Sequence, residues 1–580
     1  MDKRFFLALV LTALVIVATP LLFPNATRRS STPVTSDSSA RRTTVAPDSL
    51  VRPPGAASVV GSSAVATSTT PVGGINSSNT TSNVSAAETT TVHAQRTTYA
   101  FTSRGAAPVS VTLDSYPSRR PRGAQEAKRS TELVGPHGTL THYRVALGRD
   151  TIALDSVSLK PAFTTGATPT LAYDGDVGGH PARLLYTFSP DSYLVHVTAR
   201  IDGAPQGSAL LLELPRTLQS NEPDTLDDMN HLAVSYRPSK GEVNSVNFGK
   251  LDTTTTRNEA GPLDWVATRN KYFLVAYRAP ANAPFSALRM QGGSRIGKVT
   301  PAVRASAALP IAADGSVAFD IYAGPQDFER LIKLGGDLDQ VNPYAGWLHG
   351  VVQPFATVVM KALLWMKHTT KLNYGWVLVL FGVIIRLVLW PLNQGAMRTS
   401  MKMQRLQPEL QAVQKKNSAD PKKQQEAIMK IYKDHGMSPL SPLMGCLPML
   451  LPMPVLFALY FVFQNTIEFR GVSFLWLPDI SLHDPYYITP LLMGVSMFVM
   501  SWIGMRNAPP NPQAKMMSYM MPVMLTVLFI NFASGLNLYY AVQNIAALPQ
   551  QWLLARERAK TAALPVVSGT PTSTRSSRRA

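Results

Sequence analysis

Arg386 interrupts an apolar run, Tyr374 to about Ala396, that otherwise has the composition of a membrane span. A guanidinium keeps its proton at any cellular pH. Holding one at mid-span costs roughly 2.5–3.5 kcal/mol on insertion scales, and a charge kept at that cost marks a functional site by default. Ion-coupled relays need buried carboxylates, yet no Asp or Glu occurs in the apolar runs 374–396, 439–467, 485–505 and 516–555. What remains is a polar, wet cavity in which the guanidinium stays hydrated.

Other polar side chains share these runs. Gln464 and Asn465 close one of them, and Asn537, Tyr540 and Asn544 recur on one stripe of another. Single amides in membrane helices are by default glue between helices; a stripe of them together with an unpaired cation points to a polar groove. Metal and nucleotide chemistry find little support. The only cysteine, Cys446, allows neither an intrachain disulfide nor a Cys-based metal site. Gly292–Val299 approaches a phosphate loop, but Val299 has no hydroxyl for Mg²⁺. The middle of the chain holds no credible catalytic cluster, and no cofactor is expected.

These residues need a membrane bundle to position them. The 580-residue chain carries a formal charge of +19, but its basic residues are scattered singly or clustered beside apolar spans. That distribution sets topology rather than nucleic-acid binding. Six spans are expected: Phe5–Phe23 behind Lys3 and Arg4, 374–396, 439–467, 485–505, and two within 516–555 joined by a turn at 531–535. The first is an uncleaved anchor (1–24), with a cleaved signal as the alternative. Basic segments 397–437, 506–515 and 556–580 fall on one side, the cytoplasm, with both termini. The outer loop Glu468–Asp484 has one basic residue, Arg470, and three acidic ones.

Residues 25–98, rich in Ser, Thr and Pro, read as a disordered linker whose sequons at Asn76, Asn79 and Asn83 carry little weight. From 99 to 343 the pattern has period two: 109–113, 184–188, 193–201, 209–214, 272–277 and 316–322. Many short strands at this spacing predict a large extracytoplasmic all-β sandwich. Such a sheet either binds a sugar or peptide or serves only folding and docking. Residues 344–371 have helical period, with Val352, Phe355, Val359 and Leu363 on one face and His349, Gln353, Thr357 and Lys361 on another. Trp347 and Trp365 suit interfacial anchors. This helix lies on the outer leaflet or packs on the β-domain.

Within 397–437, Met403, Leu406, Leu410 and Val413 follow three–four spacing, and Asp420-Pro421 starts a second helix. The resulting hairpin carries Arg398, Lys402, Arg405, Lys415, Lys416, Lys422 and Lys423. It offers a surface to anionic lipid, a ribosome or a client protein, or is a solvated loop that sets topology. Spans three to six occupy 438–555.

Four motifs carry a resemblance: Ile384-Ile-Arg-Leu-Val-Leu-Trp-Pro-Leu392, Met401-Lys-Met-Gln-Arg-Leu-Gln-Pro-Glu409, the proline-rich Ser438–Pro454 and Ser534-Gly-Leu-Asn-Leu-Tyr-Tyr540. In this order and spacing, from about Pro343 to Arg556, the chain resembles the YidC family of bacterial inner-membrane protein insertases, related to mitochondrial oxidase-assembly and chloroplast insertases. The resemblance implies five helices around a hydrophilic groove and a sugar-epimerase-like sandwich without known catalysis. It implies a non-enzymatic insertase and chaperone for nascent membrane proteins, working alone or with the Sec translocon. Arg386 then attracts acidic groups of a client, Tyr540 contacts the incoming segment, and Asn537, Asn544 and Gln464 line the groove. Members often have a hydroxyl residue one turn before the arginine, where this chain has Gly382. A solute transporter would instead show paired intramembrane charges, and a periplasmic sugar-modifying protein a His/Glu constellation.

Overall fold

A computed structural model describes residues 88–562, except 122–128, 136–137, 167, 191–192, 298, 343–348, 392–393, 395–405, 407–408, 418–419, 436–452 and 507–511. The N-terminal span, most of the linker, Trp347, Arg398, Lys402, Arg405, the start of the third span and the tail beyond residue 562 therefore lie outside the described residues.

The strand Leu194–Ile201 shows how the sequence dictates the outer domain. Val195, Val197, Ala199 and Ile201 point inward, none more than 5% exposed, and the residues between them point outward. It pairs antiparallel with His180–Phe188 and Ser316–Pro325. The other alternating runs are strands too: Pro108–Pro117, Ala209–Glu213 and Phe273–Arg278. The strand Thr256–Arg269 pairs first with Phe285–Gln291. Beyond a register shift between Ala260 and Leu263 it pairs with Phe273–Arg278. A strand that bends at an irregularity changes partners and so ties two layers together. The result is a β-sandwich of fourteen strands with a four-stranded sheet beside it.

That smaller sheet corrects one boundary. Its first strand, Thr89–His93, lies inside the stretch 25–98 expected to be linker. Only Val92 of this strand is buried. Thr-rich edge strands have β propensity without the apolar alternation that would reveal them.

Two short helices belong to the outer domain, α1 (Thr225–Asn230) and α2 (Phe328–Leu334), each capped by an Asp side chain. Next come α3 (His349–Thr370) and α4 (Tyr374–Val388), bent by 117° at the break between them. Lys371 sits there with a φ of +56°, and the Asn373 side chain caps α4 by accepting from the Gly375 N–H at 2.9 Å. Helix α3 buries Val352, Val359 and Leu363 as expected. Two residues depart from the expected faces, however: Gln353 is buried, whereas Phe355 is exposed, as are Val358 and Trp365. A helix apolar on both sides has no single stripe to mark its packed face.

The basic segment 397–437 is helical over 409–416 and in α5 (Pro421–Asp434). Asp420 accepts from the backbone N–H groups of Lys422 and Lys423 at 3.1 and 3.3 Å, the N-cap foreseen from sequence. Gln424 reaches back to the Gln414 carbonyl at 3.4 Å. Lys415, Lys416, Lys422 and Lys423 are all exposed.

Four further helices follow: α6 (Met453–Asn465), α7 (Ile488–Met505), α8 (Pro512–Phe529) and α9 (Ser534–Ala562). Among the described residues only α7 is by itself long and apolar enough to cross a membrane. Helix α9 is long enough, but its second half carries Gln550, Gln551, Arg556 and Glu557, which lower its mean apolarity. The expected turn between the last two helices is present, held by Asn537, whose amide donates to the Phe529 carbonyl at 3.1 Å.

The loop between α6 and α7 is a docking element. Arg470 pairs with Glu222 at 2.7 Å, with side chains 3% and 8% exposed. Arg119 pairs with Asp479 at 2.6 Å. Glu468 accepts the Phe328 N–H at 3.0 Å; burial, reinforced by Asp327, pushes its carboxyl up to about 8. Phe328, from the outer domain, packs in the apolar core of the helices, and Ile467, from the loop, packs in that of the sandwich. Charges that sequence analysis counted as topology markers thus partner the outer domain.

Candidate functional site

Arg386 lies in the last turn of α4, facing α9. Its Nη2 donates to Gln550 Oε1 at 2.8 Å, and Gln550 Nε2 donates to the Trp390 carbonyl at 3.2 Å. Gln550 is 2% exposed. Arg386 is half-buried, and its Nε is shielded from solvent without a hydrogen-bond partner among the described residues. One turn earlier on α4, the Gly382 carbonyl accepts from Gln543 Nε2 at 3.2 Å, and the same nitrogen donates to the Tyr539 hydroxyl at 2.9 Å. A Cβ at position 382 would stand 3.1 Å from Val542 and 3.5 Å from Tyr539. Glycine therefore lets α9 approach closely, and α9 supplies the polarity that residue 382 lacks.

The polar face of α9 towards Arg386 is Tyr539, Gln543 and Gln550, at spacing i, i+4, i+11. The stripe read from sequence was Asn537, Tyr540 and Asn544, displaced by about 100° per residue round the helix. Its members go elsewhere. Asn537 is fully buried at the α8–α9 turn. Asn544 donates to Ser496 Oγ at 3.2 Å and to the Met493 carbonyl at 3.4 Å, fastening α9 to α7. Tyr540 is half-buried, its ring 5.7 Å from that of Phe529 and 5.6 Å from that of Tyr539. Gln464 lies at the end of α6, beside the docking loop, within hydrogen-bonding reach of Tyr460. Three residues of this face were not expected from sequence: Tyr539, Gln543 and Gln550. The signal for the amides was present: seven apart, two turns on one face, in a stretch without charge.

Trp365 is 66% exposed on α3. No group of three or more His, Cys, Asp or Glu among the described residues has metal-binding geometry. Arg386 thus presents a guanidinium from a mostly apolar helix pair.

Residues 365–561 match the family model of the 60Kd inner membrane protein, and residues 89–358 match that of the YidC periplasmic domain. A membrane protein insertase YidC of Nitratidesulfovibrio vulgaris is 30% identical over 462 residues, covering 73% of this chain and 82% of the relative. That of Chlorobaculum tepidum is 32% identical over 391 residues, covering 64% of each. A crystal structure of an active YidC insertase with its first transmembrane domain resolved aligns over 82% of this chain and 93% of its own, with a TM-score of 0.32 and 19% identity. With both parts matched in order and relatives aligned across most of their length, the chain belongs to the YidC family, inner membrane proteins with a periplasmic domain.

Proposed function

We propose that this chain is a membrane protein insertase and chaperone that admits client segments through a hydrophilic groove, alone or with the Sec translocon. The observation that carries the reading is Arg386, a permanent cation whose one hydrogen-bond partner among the described residues is a neutral amide. A charge held without a counter-ion is available to a transient acidic partner, and a client's extracytoplasmic segment supplies one. Tyr540 serves as an aromatic contact for that segment, with Asn537, Asn544 and Gln464 as further polar groups of the bundle. A polar groove lowers the desolvation cost of carrying hydrophilic residues part-way across. Apolar client helices then partition into lipid, assisted by the membrane potential.

In this reading the chain crosses the membrane six times, with both termini in the cytoplasm and the sandwich in the periplasm. The lysines and arginines of the hairpin meet a ribosome, anionic lipid or the emerging client, and Trp347 and Trp365 anchor α3 at the outer interface. Insertion of a small client with an acidic translocated segment tests the central claim in cells depleted of their own insertase. Arg386→Ala is expected to block it and Arg386→Lys to retain part of it. Normal insertion of every client by both variants would sink the role.

A further inference from the structure

Gln550 shows why Arg386 remains usable. Its amide is gripped at both ends: the oxygen accepts from Arg386 and the nitrogen donates to the Trp390 carbonyl, just beyond α4. A flipped amide would set N–H against guanidinium N–H and oxygen against carbonyl oxygen, so the orientation is fixed by chemistry. The side chain is also buried, which leaves it few other rotamers. The guanidinium is consequently held by one nitrogen while Nε stays without a partner among the described residues. A carboxylate in place of this amide would hold the guanidinium at least as firmly, because charge-assisted pairs are roughly twice as strong. It would also cancel the charge. No Asp or Glu stands in any of the apolar runs around it.

We propose that Gln550 is a positioning residue that fixes the Arg386 guanidinium through a deliberately neutral acceptor, keeping the charge free for an acidic client segment. The proposal rests on the reading of Arg386 given above. It assigns a requirement that a packing role would not impose: position 550 must accept a hydrogen bond and must not be anionic. A client carboxylate then meets an oriented cation, and the existing bond to Gln550 restrains the side chain while the carboxylate docks.

The test uses the full chain and two reporters, a small membrane protein with an acidic translocated segment and the same protein with those acids changed to Asn and Gln. Gln550→Glu is expected to lower insertion of the acidic reporter by roughly tenfold or more, the scale of a competing close charge pair. The neutral reporter should be little affected, and the thermal midpoint in detergent should change little, since the ion pair gained with Arg386 offsets the lost donor to the Trp390 carbonyl. Gln550→Leu, which frees the guanidinium but leaves its charge, should lower insertion of the acidic reporter by only a few-fold. The proposal is overturned if Gln550→Glu inserts both reporters like wild type, loses both equally, or fails to accumulate, since pairing predicts a stable protein. Arg386→Ala run alongside separates the two claims. If it leaves the acidic reporter unaffected, the arginine reading itself has failed; if it impairs that reporter while Gln550→Glu does not, only the role of Gln550 falls.

Discussion

Arg470 and Glu222 stand 248 residues apart in sequence and 2.7 Å apart in space, both almost wholly buried. The Arg470 guanidinium also donates to the Pro117 carbonyl at 3.0 Å and lies over the Phe273 ring. One side chain from the loop between two helices thus touches three separate segments of the outer domain. Removing one partner of a buried pair strands the other charge.

Arg470→Ala is therefore expected to destabilise the protein by about 3–5 kcal/mol. The paired change Arg470→Met with Glu222→Leu should recover most of that loss. Chemical unfolding in detergent, followed by the tryptophan signal, decides the matter: a double variant as unstable as Arg470→Ala would refute the charge argument.

The reciprocal packing of Phe328 and Ile467 predicts crossed effects. Phe328→Ala, a change in the outer domain, should loosen the helices, and Ile467→Ala, in the loop, should loosen the sandwich. Each loss is expected at about 2–4 kcal/mol. Hydrogen exchange resolved by peptide is the readout. Increased exchange confined to the segment that carries each mutation would contradict the crossed arrangement.

Two buried acids make stability depend on pH. Burial raises Glu468 to about 8 and Asp228 to about 6. Between the unfolded and folded values, the native state binds more protons than the unfolded chain, so stability falls as pH rises. For Glu468 that window runs from the ordinary carboxylate range to about pH 8, at about 1.4 kcal/mol per pH unit. Unfolding midpoints at pH 5 and pH 8 should differ in favour of pH 5, and Glu468→Gln should flatten the difference. A steeper dependence in the Gln variant would exclude this assignment.

Close helix packing at Gly375 gives a further expectation. A Cβ there would run into the Phe474 ring. Gly375→Ala should cost about 1–3 kcal/mol, the usual range for overpacking. Gly375→Ala combined with Phe474→Leu should regain part of it, measured by thermal unfolding.

Much of the architecture was legible because period and charge leave local traces. Val195 to Ile201 alternates, Asp420-Pro421 caps a helix, and the charge-free stretch before Arg556 divides at the turn near Asn531. What escaped depended on partners distant in sequence. Arg470 looked like a lone basic residue in an acidic loop because Glu222 is not its neighbour in the chain. The stripe on α9 was misplaced for a related reason: Asn537, Tyr540 and Asn544 are periodic, but so are Tyr539, Gln543 and Gln550. Periodicity does not say which face meets α4. Arg386 itself was visible at once, since a cation in an apolar run needs no partner to be noticed; Gln550 is defined only by the guanidinium it holds.

The fastening between the sandwich and the α6–α7 loop also imposes an order in time. At roughly 5–20 residues per second of synthesis, Arg470 follows Glu222 by about 10–50 s. Once Pro325 has been made, the outer domain has its strands complete and its socket empty, with Glu222 unpaired until Arg470 follows. The periplasmic domain is thus born unfinished, and the loop between α6 and α7 completes it.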